Sequence, residues 1–127
     1  MMKILESAEN YLETIHILKQ ENSNVRAIDI VSYLGFSKPS VSIALKQLET
    51  NGYISRDSDG YISLTDEGAE IAASVFERHS LLTDFFISLG VSEEIAIDDA
   101  CKIEHHISQE TIERLKETIE KIKSSLK

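Results

Sequence analysis

The sequence predicts a mainly α-helical protein with one short β-hairpin. Most of the chain has apolar residues at the three- and four-residue spacing of amphipathic helices, as in Ala8, Leu12 and Ile15. Residues 53–64 differ, because apolar and polar side chains alternate there on both sides of an Asp-Gly turn. We therefore expect two domains, residues 1–64 with the hairpin and residues 65–127 with helices alone.

Charge is unevenly distributed between these two parts. The formal net charge of −9 by itself disfavours nucleic acid, because phosphate contacts need Lys and Arg. Residues 1–64 hold 6 basic and 8 acidic residues, whereas residues 65–127 hold 7 and 14. The N-terminal part can therefore still present a locally positive or neutral face.

The composition also indicates a compartment. With 42% hydrophobic and 28% charged residues, the chain resembles a globular protein, and no apolar run approaches the length of about 18 residues that spans a membrane. The N-terminus lacks the apolar core of a secretion signal, and the single cysteine, Cys101, cannot form an intramolecular disulfide. We expect a cytoplasmic protein without membrane contact.

The first helix is expected over residues 5–21. Its apolar stripe consists of Ala8, Tyr11, Leu12, Ile15 and Leu18. The opposite stripe is polar and consists of Glu6, Glu9, Asn10 and Glu13. Such a stripe is usually a solvated surface unless a binding partner covers it.

Residues 25–52 have the pattern of a helix-turn-helix. The first helix ends at Gly35, the residue best suited to the left-handed turn of such motifs. The second helix begins at Ser37, a favourable N-cap, and has Pro39 in its first turn, where the missing N–H costs nothing. The first helix carries the apolar residues Ile28, Val31 and Leu34, and in the second helix Val41, Leu45 and Leu48 are expected to pack inward.

The second of these helices is a candidate for DNA recognition. Its outward side chains are short hydrogen-bonding groups and two cations, which suit phosphate contact and modest base recognition in a major groove. The expected DNA-binding surface comprises Ser37, Lys38, Pro39, Ser40, Ser42 and Lys46. A helical hairpin inside a core has a similar pattern, so this segment alone leaves both interpretations open.

A hairpin follows directly, with strands expected over residues 53–56 and 61–64 and a turn that ends at Gly60. A two-stranded hairpin after a recognition helix is the wing of a winged helix-turn-helix, which favours DNA binding. Arg56, near the tip, is expected to contact a phosphate or the minor groove, or to be only a solubilising charge.

A long helix is expected next, capped by Thr65 and stopping at Gly90. Its apolar stripe consists of Ile71, Val75, Leu82 and Phe86. His79 falls on the same stripe. An inward histidine is more often a core residue than a ligand, but a buried imidazole needs a partner.

The following segment, capped by Ser92 and expected to be helical to about Ile107, carries metal-binding chemistry. Three- and four-residue spacing places Cys101, Glu104 and His105 on one helix face. A thiolate, a carboxylate and an imidazole suit Fe(II), Co(II), Ni(II) or Zn(II) better than Mg(II) or Ca(II). Such a trio also arises by chance in many helices.

The last helix is expected to start after Ser108. Its apolar residues recur at alternating steps of three and four, at Ile112, Leu115, Ile119, Ile122 and Leu126. This seam packs either within the domain or against a second copy of the chain.

Together these segments resemble the diphtheria toxin repressor family of metal-dependent transcriptional regulators, which includes the manganese transport regulators. The resemblance covers nearly the whole chain and rests on residues 8–15, 37–42, 77–79 and, most specifically, 100–105. It implies a homodimer whose N-terminal winged helices bind palindromic operator double-stranded DNA. The helical C-terminal half would dimerise and bind the metal.

The resemblance also implies a ligand set. Its candidates are Asn10, Glu13, His79, Cys101, Glu104 and His105. Asn10 stands where the family commonly has Met or Asp, so it would contribute a neutral amide oxygen or a mediating water. Thr83 and Ile97 stand where the ancillary site of iron-responsive members would have a carboxylate and an imidazole, which leaves that site incomplete.

The expected ion is Fe(II) or Mn(II), with Zn(II), Co(II) or Ni(II) as further candidates. The compact layout is closer to the manganese branch, whereas Cys101 is closer to the iron branch, and thiolate softness favours Fe(II). The implied function is repression that controls metal homeostasis, without enzyme activity. Two alternatives stay open: a winged-helix regulator responding to a small molecule or to redox state through Cys101, and, less favoured, a metallohydrolase with Glu104 as base.

Overall fold

The computed structural model describes residues 6–125 and divides, after Ser74, into two compact units. Six helices and one two-stranded sheet occur within the described residues, which confirms the predicted fold class. The elements are α1 (Glu6–Glu21), α2 (Ala27–Leu34), α3 (Lys38–Thr50), β1 (Ile54–Arg56), β2 (Ile62–Leu64), α4 (Asp66–Ser88), α5 (Glu93–Ile103) and α6 (Gln109–Ser125). Between residues 6 and 125, none of the helices has both the length and the apolar character of a membrane span.

The first unit is built on a core shared by α1, α2, α3, the hairpin and the start of α4. Its buried residues are Tyr11, Leu12, Ile15, Val25, Ile30, Val41, Leu45, Leu48, Ile54, Ile62 and Ala72. The predicted inward residues of α3 are therefore confirmed. In α2, Ile28 is 50% exposed, whereas Ile30, about 200° further around the helix, is buried.

Local chemistry explains how the helix-turn-helix is joined. Gly35 adopts φ 72° and ψ 20°, and its N–H donates to the Val31 carbonyl at 2.9 Å. The Ser37 hydroxyl accepts the Ser40 N–H at 3.2 Å at the start of α3. Pro39 occupies the first turn of that helix. The predicted left-handed turn and N-cap are both confirmed.

The wing is an antiparallel hairpin in which Ser55 pairs with Ser63. Its turn is closed by the Asp57 carboxylate, which accepts the N–H groups of Asp59 at 2.9 Å and Tyr61 at 3.0 Å. One contact had no sequence signal: the Ile62 N–H donates to the Val25 carbonyl at 2.7 Å. This bond attaches the wing to the segment before α2.

The start of α4 packs closely against the residues that lead into the hairpin. The Thr65 hydroxyl donates to the Gly52 carbonyl at 2.7 Å and accepts the Gly68 N–H at 3.2 Å, so the predicted cap is confirmed. A Cβ atom at Gly68 would lie 2.0 Å from the Tyr53 carbonyl oxygen. Only glycine fits at this point of α4.

The second unit has a smaller core formed by Leu82, Ala100 and Ile112. The Ser108 hydroxyl accepts the Thr111 N–H at 3.1 Å, which confirms the predicted start of α6. Along the seam of α6, Ile112 and Ile119 are buried, whereas Ile122 is exposed. Leu5 and Leu126, which were assigned to the first and last helices, lie outside the described residues.

The helix expected to reach Ile107 ends four residues earlier, at Ile103. Residues 104–107 form a turn instead, which ends in a bend at Ile107, and the N–H groups of His106 and Ile107 both donate to the Ile103 carbonyl, at 3.0 and 3.2 Å. Glu104 and His105 are therefore presented by a turn and not by a helix face.

Candidate metal centre and DNA-binding surface

Glu104 lies at the centre of the candidate metal site and is fully buried. Its Oε2 atom is 2.7 Å from Nδ1 of His79, which comes from the middle of α4. Its Oε1 atom is 3.3 Å from Nε2 of His105, the next residue in the turn. The structure thus brings together three of the predicted donors, one carboxylate and two imidazoles.

This donor set fits a divalent transition metal. Burying a carboxylate is costly unless nearby groups compensate its charge, and imidazoles and metal ions both do so. Oxygen and nitrogen donors bind such ions at about 2.0–2.2 Å, so neighbouring donors around one ion lie about 3 Å apart. The contacts of Glu104 with His79 and His105 are of this size.

The remaining predicted ligands have different environments. The Cys101 thiol is exposed, on the last turn of α5, and does not share the burial of Glu104. In the first unit, Glu13 is 6% exposed although it belongs to the polar stripe of α1. Asn10 is partly buried, and its carbonyl accepts the Thr14 hydroxyl at 2.8 Å. The burial of Glu13 distinguishes it from an ordinary solvated acidic residue.

Sequence reasoning assigned no role to Arg78, which organises the turn of residues 104–107. Its Nη1 atom donates to the carbonyls of Glu104 at 3.3 Å and Ile107 at 2.9 Å, and its Nη2 atom donates to Gln109 Oε1 at 2.8 Å. The sequence feature that could have indicated a role for Arg78 is its position directly before His79, within a segment that carries the family resemblance.

The outer surface of α3 presents every residue predicted to bind DNA from this helix. Ser37, Lys38, Pro39, Ser40, Ser42 and Lys46 are all exposed. Within this set, the hydroxyls of Ser37 and Ser40 are 2.8 Å apart and hydrogen-bond to each other.

Further residues on the same helix are exposed but were not among the predicted DNA contacts. Ile43 is 61% exposed, and a shallow depression of about 520 Å³ is lined by Ile43, Lys46, Gln47, Thr50 and Asn51. Apolar side chains on a helix in the major groove can contact thymine methyl groups.

Arg56 has a partner within the protein. Its Nη2 atom donates to Glu49 Oε1 at 3.0 Å, so the wing is joined to the last turns of α3. The hydrogen bond from Arg56, followed by the charges of Arg56 and Lys46, holds the pKa of the Glu49 carboxyl below its usual value. Contact of Arg56 with DNA stays a prediction, and it would compete with this pair.

These observations define a class of protein, a winged-helix DNA-binding protein with a cluster of metal-type donors in a second, helical part. Sequence profiles agree with this class. The profile described as the iron dependent repressor N-terminal DNA binding domain matches residues 3–62, and that of the metal binding and dimerisation domain matches residues 65–126. The chain belongs to the iron-dependent repressor family of metal-dependent transcriptional regulators, and the resemblance inferred from its motifs is confirmed.

Individual relatives agree with this assignment. The chain is 40% identical over 108 residues to the transcriptional regulator MntR of Escherichia coli, covering 85% of this chain and 70% of that protein. It is 32% identical over 123 residues to an uncharacterised HTH-type transcriptional regulator of Methanocaldococcus jannaschii, covering 95% and 98% of the two chains.

Solved structures with the same fold include the metal-dependent transcriptional regulator MtsR, with a TM-score of 0.83, 25% identity and coverage of 89% of this chain and 53% of that one. A manganese-dependent transcriptional repressor in complex with manganese has a TM-score of 0.80 and 26% identity, covering 87% of this chain and 51% of that one. The chain thus spans about half the length of the protein chains in these two structures.

Proposed function

We propose that this chain is a metal-activated transcriptional repressor that binds a palindromic operator as a homodimer and controls metal homeostasis in the cytoplasm. The observation that carries the proposal is the buried Glu104 carboxylate between the imidazoles of His79 and His105. The chain's membership of the iron-dependent repressor family links such a metal centre to regulated DNA binding.

The proposed ligands are Asn10, Glu13, His79, Cys101, Glu104 and His105. Three of them are supported by their contacts in the second unit, and Glu13 is supported by its burial. When bound, the ion would supply positive charge that offsets the buried carboxylate of Glu104. Removing a ligand should therefore weaken regulation.

Fe(II) or Mn(II) is the proposed ion. The names of relatives support both, since the family profile is described as iron dependent and a structural relative is manganese dependent. The relative ScaR has been crystallised with Zn²⁺ and with Cd²⁺, so at least one relative with this fold accepts softer ions. For this chain, participation of the Cys101 thiolate would favour Fe(II) over Mn(II), because sulfur is a soft ligand.

The chain's own residues supply the DNA contacts. Lys38, Ser42, Lys46 and Gln47 are all exposed. In the proposed complex the two lysines would contact phosphates, and Ser42 and Gln47 would hydrogen-bond to base edges. In a homodimer, the two copies of α3 must lie about 34 Å apart to enter successive major grooves. A ligand improves operator binding only if it binds this arrangement more tightly than other arrangements.

Exposed apolar side chains in the second unit support dimerisation. Ile87 and Leu89 at the end of α4, and Ile95 and Ile97 on α5, are all exposed. In the proposed homodimer these residues would be covered by the same surface of a second copy. The match of residues 65–126 to a dimerisation domain agrees with this assignment.

Operator affinity measured by fluorescence anisotropy, with Mn(II) or anaerobic Fe(II) and with chelator, tests the proposal. We expect metal to strengthen binding by a factor of about 5–150, the usual range of allosteric coupling. Equal affinity in metal and in chelator would contradict metal activation.

The exposed thiol of Cys101 favours one alternative, a winged-helix regulator that responds to redox state. The two functions differ in their need for Glu104. Glu104→Ala should abolish regulation by metal, whereas it should leave regulation by an oxidant intact. Operator binding by this variant before and after peroxide treatment separates them.

A further inference from the structure

Arg78 and His79 hold the same residue from two sides. The guanidinium of Arg78 donates to the Glu104 carbonyl at 3.3 Å, and the imidazole of His79 lies 2.7 Å from the Glu104 carboxylate. These consecutive residues of α4 therefore fix both the backbone and the side chain of Glu104.

Arg78 also donates hydrogen bonds to residues other than Glu104. Its Nη1 atom also donates to the Ile107 carbonyl at 2.9 Å, and its Nη2 atom donates to Gln109 Oε1 at 2.8 Å. The guanidinium thus contacts both ends of the turn of residues 104–107 and the first residue of α6. Since α5 ends at Ile103, the carbonyls of this turn do not belong to a regular helix, and Arg78 supplies donors to two of them.

The bonds to Ile107 and Gln109 have the length of charge-assisted hydrogen bonds, and the bond to Glu104 is longer. Hydrogen bonds from a charged guanidinium are about twice as strong as neutral ones, and its fixed fork contacts several acceptors at once. The Arg78 Nε atom is itself buried. The guanidinium is therefore a built part of the second unit rather than a solvated surface charge.

We propose that Arg78 is a positioning residue for the metal centre: it fixes the turn of residues 104–107 so that the Glu104 carboxylate and the His105 imidazole are in place before an ion arrives. The inference rests on the proposed function and deepens it. Groups that hold metal ligands in position typically change metal affinity 10- to 100-fold when they are removed.

Two substitutions test this role. Arg78→Met keeps an unbranched stem but removes every donor, and Arg78→Lys keeps the charge but lacks the fork. Arg114→Met is the matched control, because Arg114 lies on exposed α6 surface and pairs with Glu117 of the same helix, at 3.3 Å. Mn(II) alone is the probe, with affinity and stoichiometry measured by calorimetry on the full chain.

We expect Arg78→Met to lower Mn(II) affinity 10- to 100-fold at unchanged stoichiometry, and Arg78→Lys to fall between this variant and the wild type. In chelator, hydrogen exchange of amides 104–109 should accelerate in both variants, while amides 96–100 of α5 exchange as in the wild type. A merely structural role would instead accelerate exchange throughout the second unit. Arg114→Met should change neither measurement.

Wild-type Mn(II) affinity and wild-type exchange at residues 104–109 in Arg78→Met would overturn the inference. If this variant does not fold, the same result in Arg78→Lys overturns it. Should Glu104→Gln lose metal binding while the Arg78 variants keep it, the proposed function stands and only the positioning role fails. Absence of Mn(II) and Fe(II) binding by the wild type would contradict the proposed function itself.

Discussion

Nδ1 of His79 lies 2.7 Å from Oε2 of Glu104, which connects the middle of α4 to the turn after α5. Without an ion, a proton on Nδ1 would form a hydrogen bond to the ionised carboxylate, which can only accept. A bound ion would replace that proton, because Nδ1 and Oε2 are about as far apart as two donors to one metal ion. The contact therefore orients His79 and Glu104 toward each other as a pair of donors.

The first prediction concerns the charge of Glu104. Glu104→Gln keeps the size of the side chain but removes its negative charge, and an amide is a weak ligand for a transition metal. We expect Mn(II) affinity to fall at least about 100-fold, at the upper end of effects reported for groups around a metal. Calorimetric titration checks this, with His106→Gln, an exposed histidine outside the proposed ligand set, as the control. Retention of affinity in Glu104→Gln would remove Glu104 from the ligand set.

A second prediction tests whether Cys101 is a ligand. If its thiolate binds the ion, Co(II)-loaded protein should show a strong near-ultraviolet sulfur-to-metal absorption band that Cys101→Ser lacks. The substitution should also weaken Fe(II) binding more than Mn(II) binding, because sulfur favours the softer ion. Superimposable Co(II) spectra of the two proteins would show that the exposed thiol stays outside the coordination sphere.

The third prediction separates phosphate contacts from base recognition on α3. Lys46→Ala should weaken binding to all DNA sequences alike and reduce the slope of log affinity against log salt by about 1. Gln47→Ala should instead change the preferred operator sequence and leave the salt slope unchanged. Anisotropy titrations at several salt concentrations distinguish the two, with Lys121→Ala on exposed α6 surface as the control. An unchanged salt slope in Lys46→Ala would place α3 away from the phosphates.

The sequence alone predicted the structure correctly where residues close together in the chain determine it. The cap at Ser37, the left-handed Gly35 and the turn that ends at Gly60 were predicted because their reasons lie within a few residues. The winged helix follows from these elements. The motifs that carry the family resemblance include Glu104 and His79.

The sequence alone did not predict the structure where residues far apart in the chain determine it. The end of α5 at Ile103 belongs to a turn that Arg78 contacts from 26 or more positions earlier in the chain. The periodicity of apolar residues alone had predicted that this helix extends to Ile107. The pairing of Arg56 with Glu49 and the burial of Glu13 likewise depend on the assembled fold and have no local signature.

A fourth prediction follows from the pair formed by Arg56 and Glu49. The hydrogen bond from Arg56 lowers the pKa of the Glu49 carboxyl, so the pair contributes stability above the unfolded-state pKa. That contribution is lost as pH falls through the lowered folded-state value. Arg56→Gln should raise the pKa of Glu49, measured by NMR titration of its carboxyl carbon. An unchanged pKa would mean that the pair does not persist in solution, as many exposed ion pairs do not.

The last prediction concerns the close approach of Gly68 to the Tyr53 carbonyl. Alanine is normally favoured over glycine within a helix, by about 1 kcal/mol, so Gly68→Ala would be expected to stabilise α4. The structure instead predicts that Gly68→Ala destabilises the protein, because the new Cβ would lie 2.0 Å from a backbone oxygen that cannot rotate away. We expect a net loss of about 1–3 kcal/mol or more in the free energy of unfolding, as for other overpacked sites.

Urea denaturation measures this loss, and two further variants identify its cause. Gly60→Ala meets no atom within 4 Å but has φ +84°, so it should cost about 1–2 kcal/mol through backbone strain alone. Ser74→Ala, on the exposed side of the same helix, should stay within about 0.5 kcal/mol of the wild type. If Gly68→Ala stabilised the protein, the packing of α4 against Tyr53 would have to be looser than the structure shows. A loss in Gly68→Ala beside an unchanged Ser74→Ala would instead locate the constraint at that single contact, which holds the wing and α4 together.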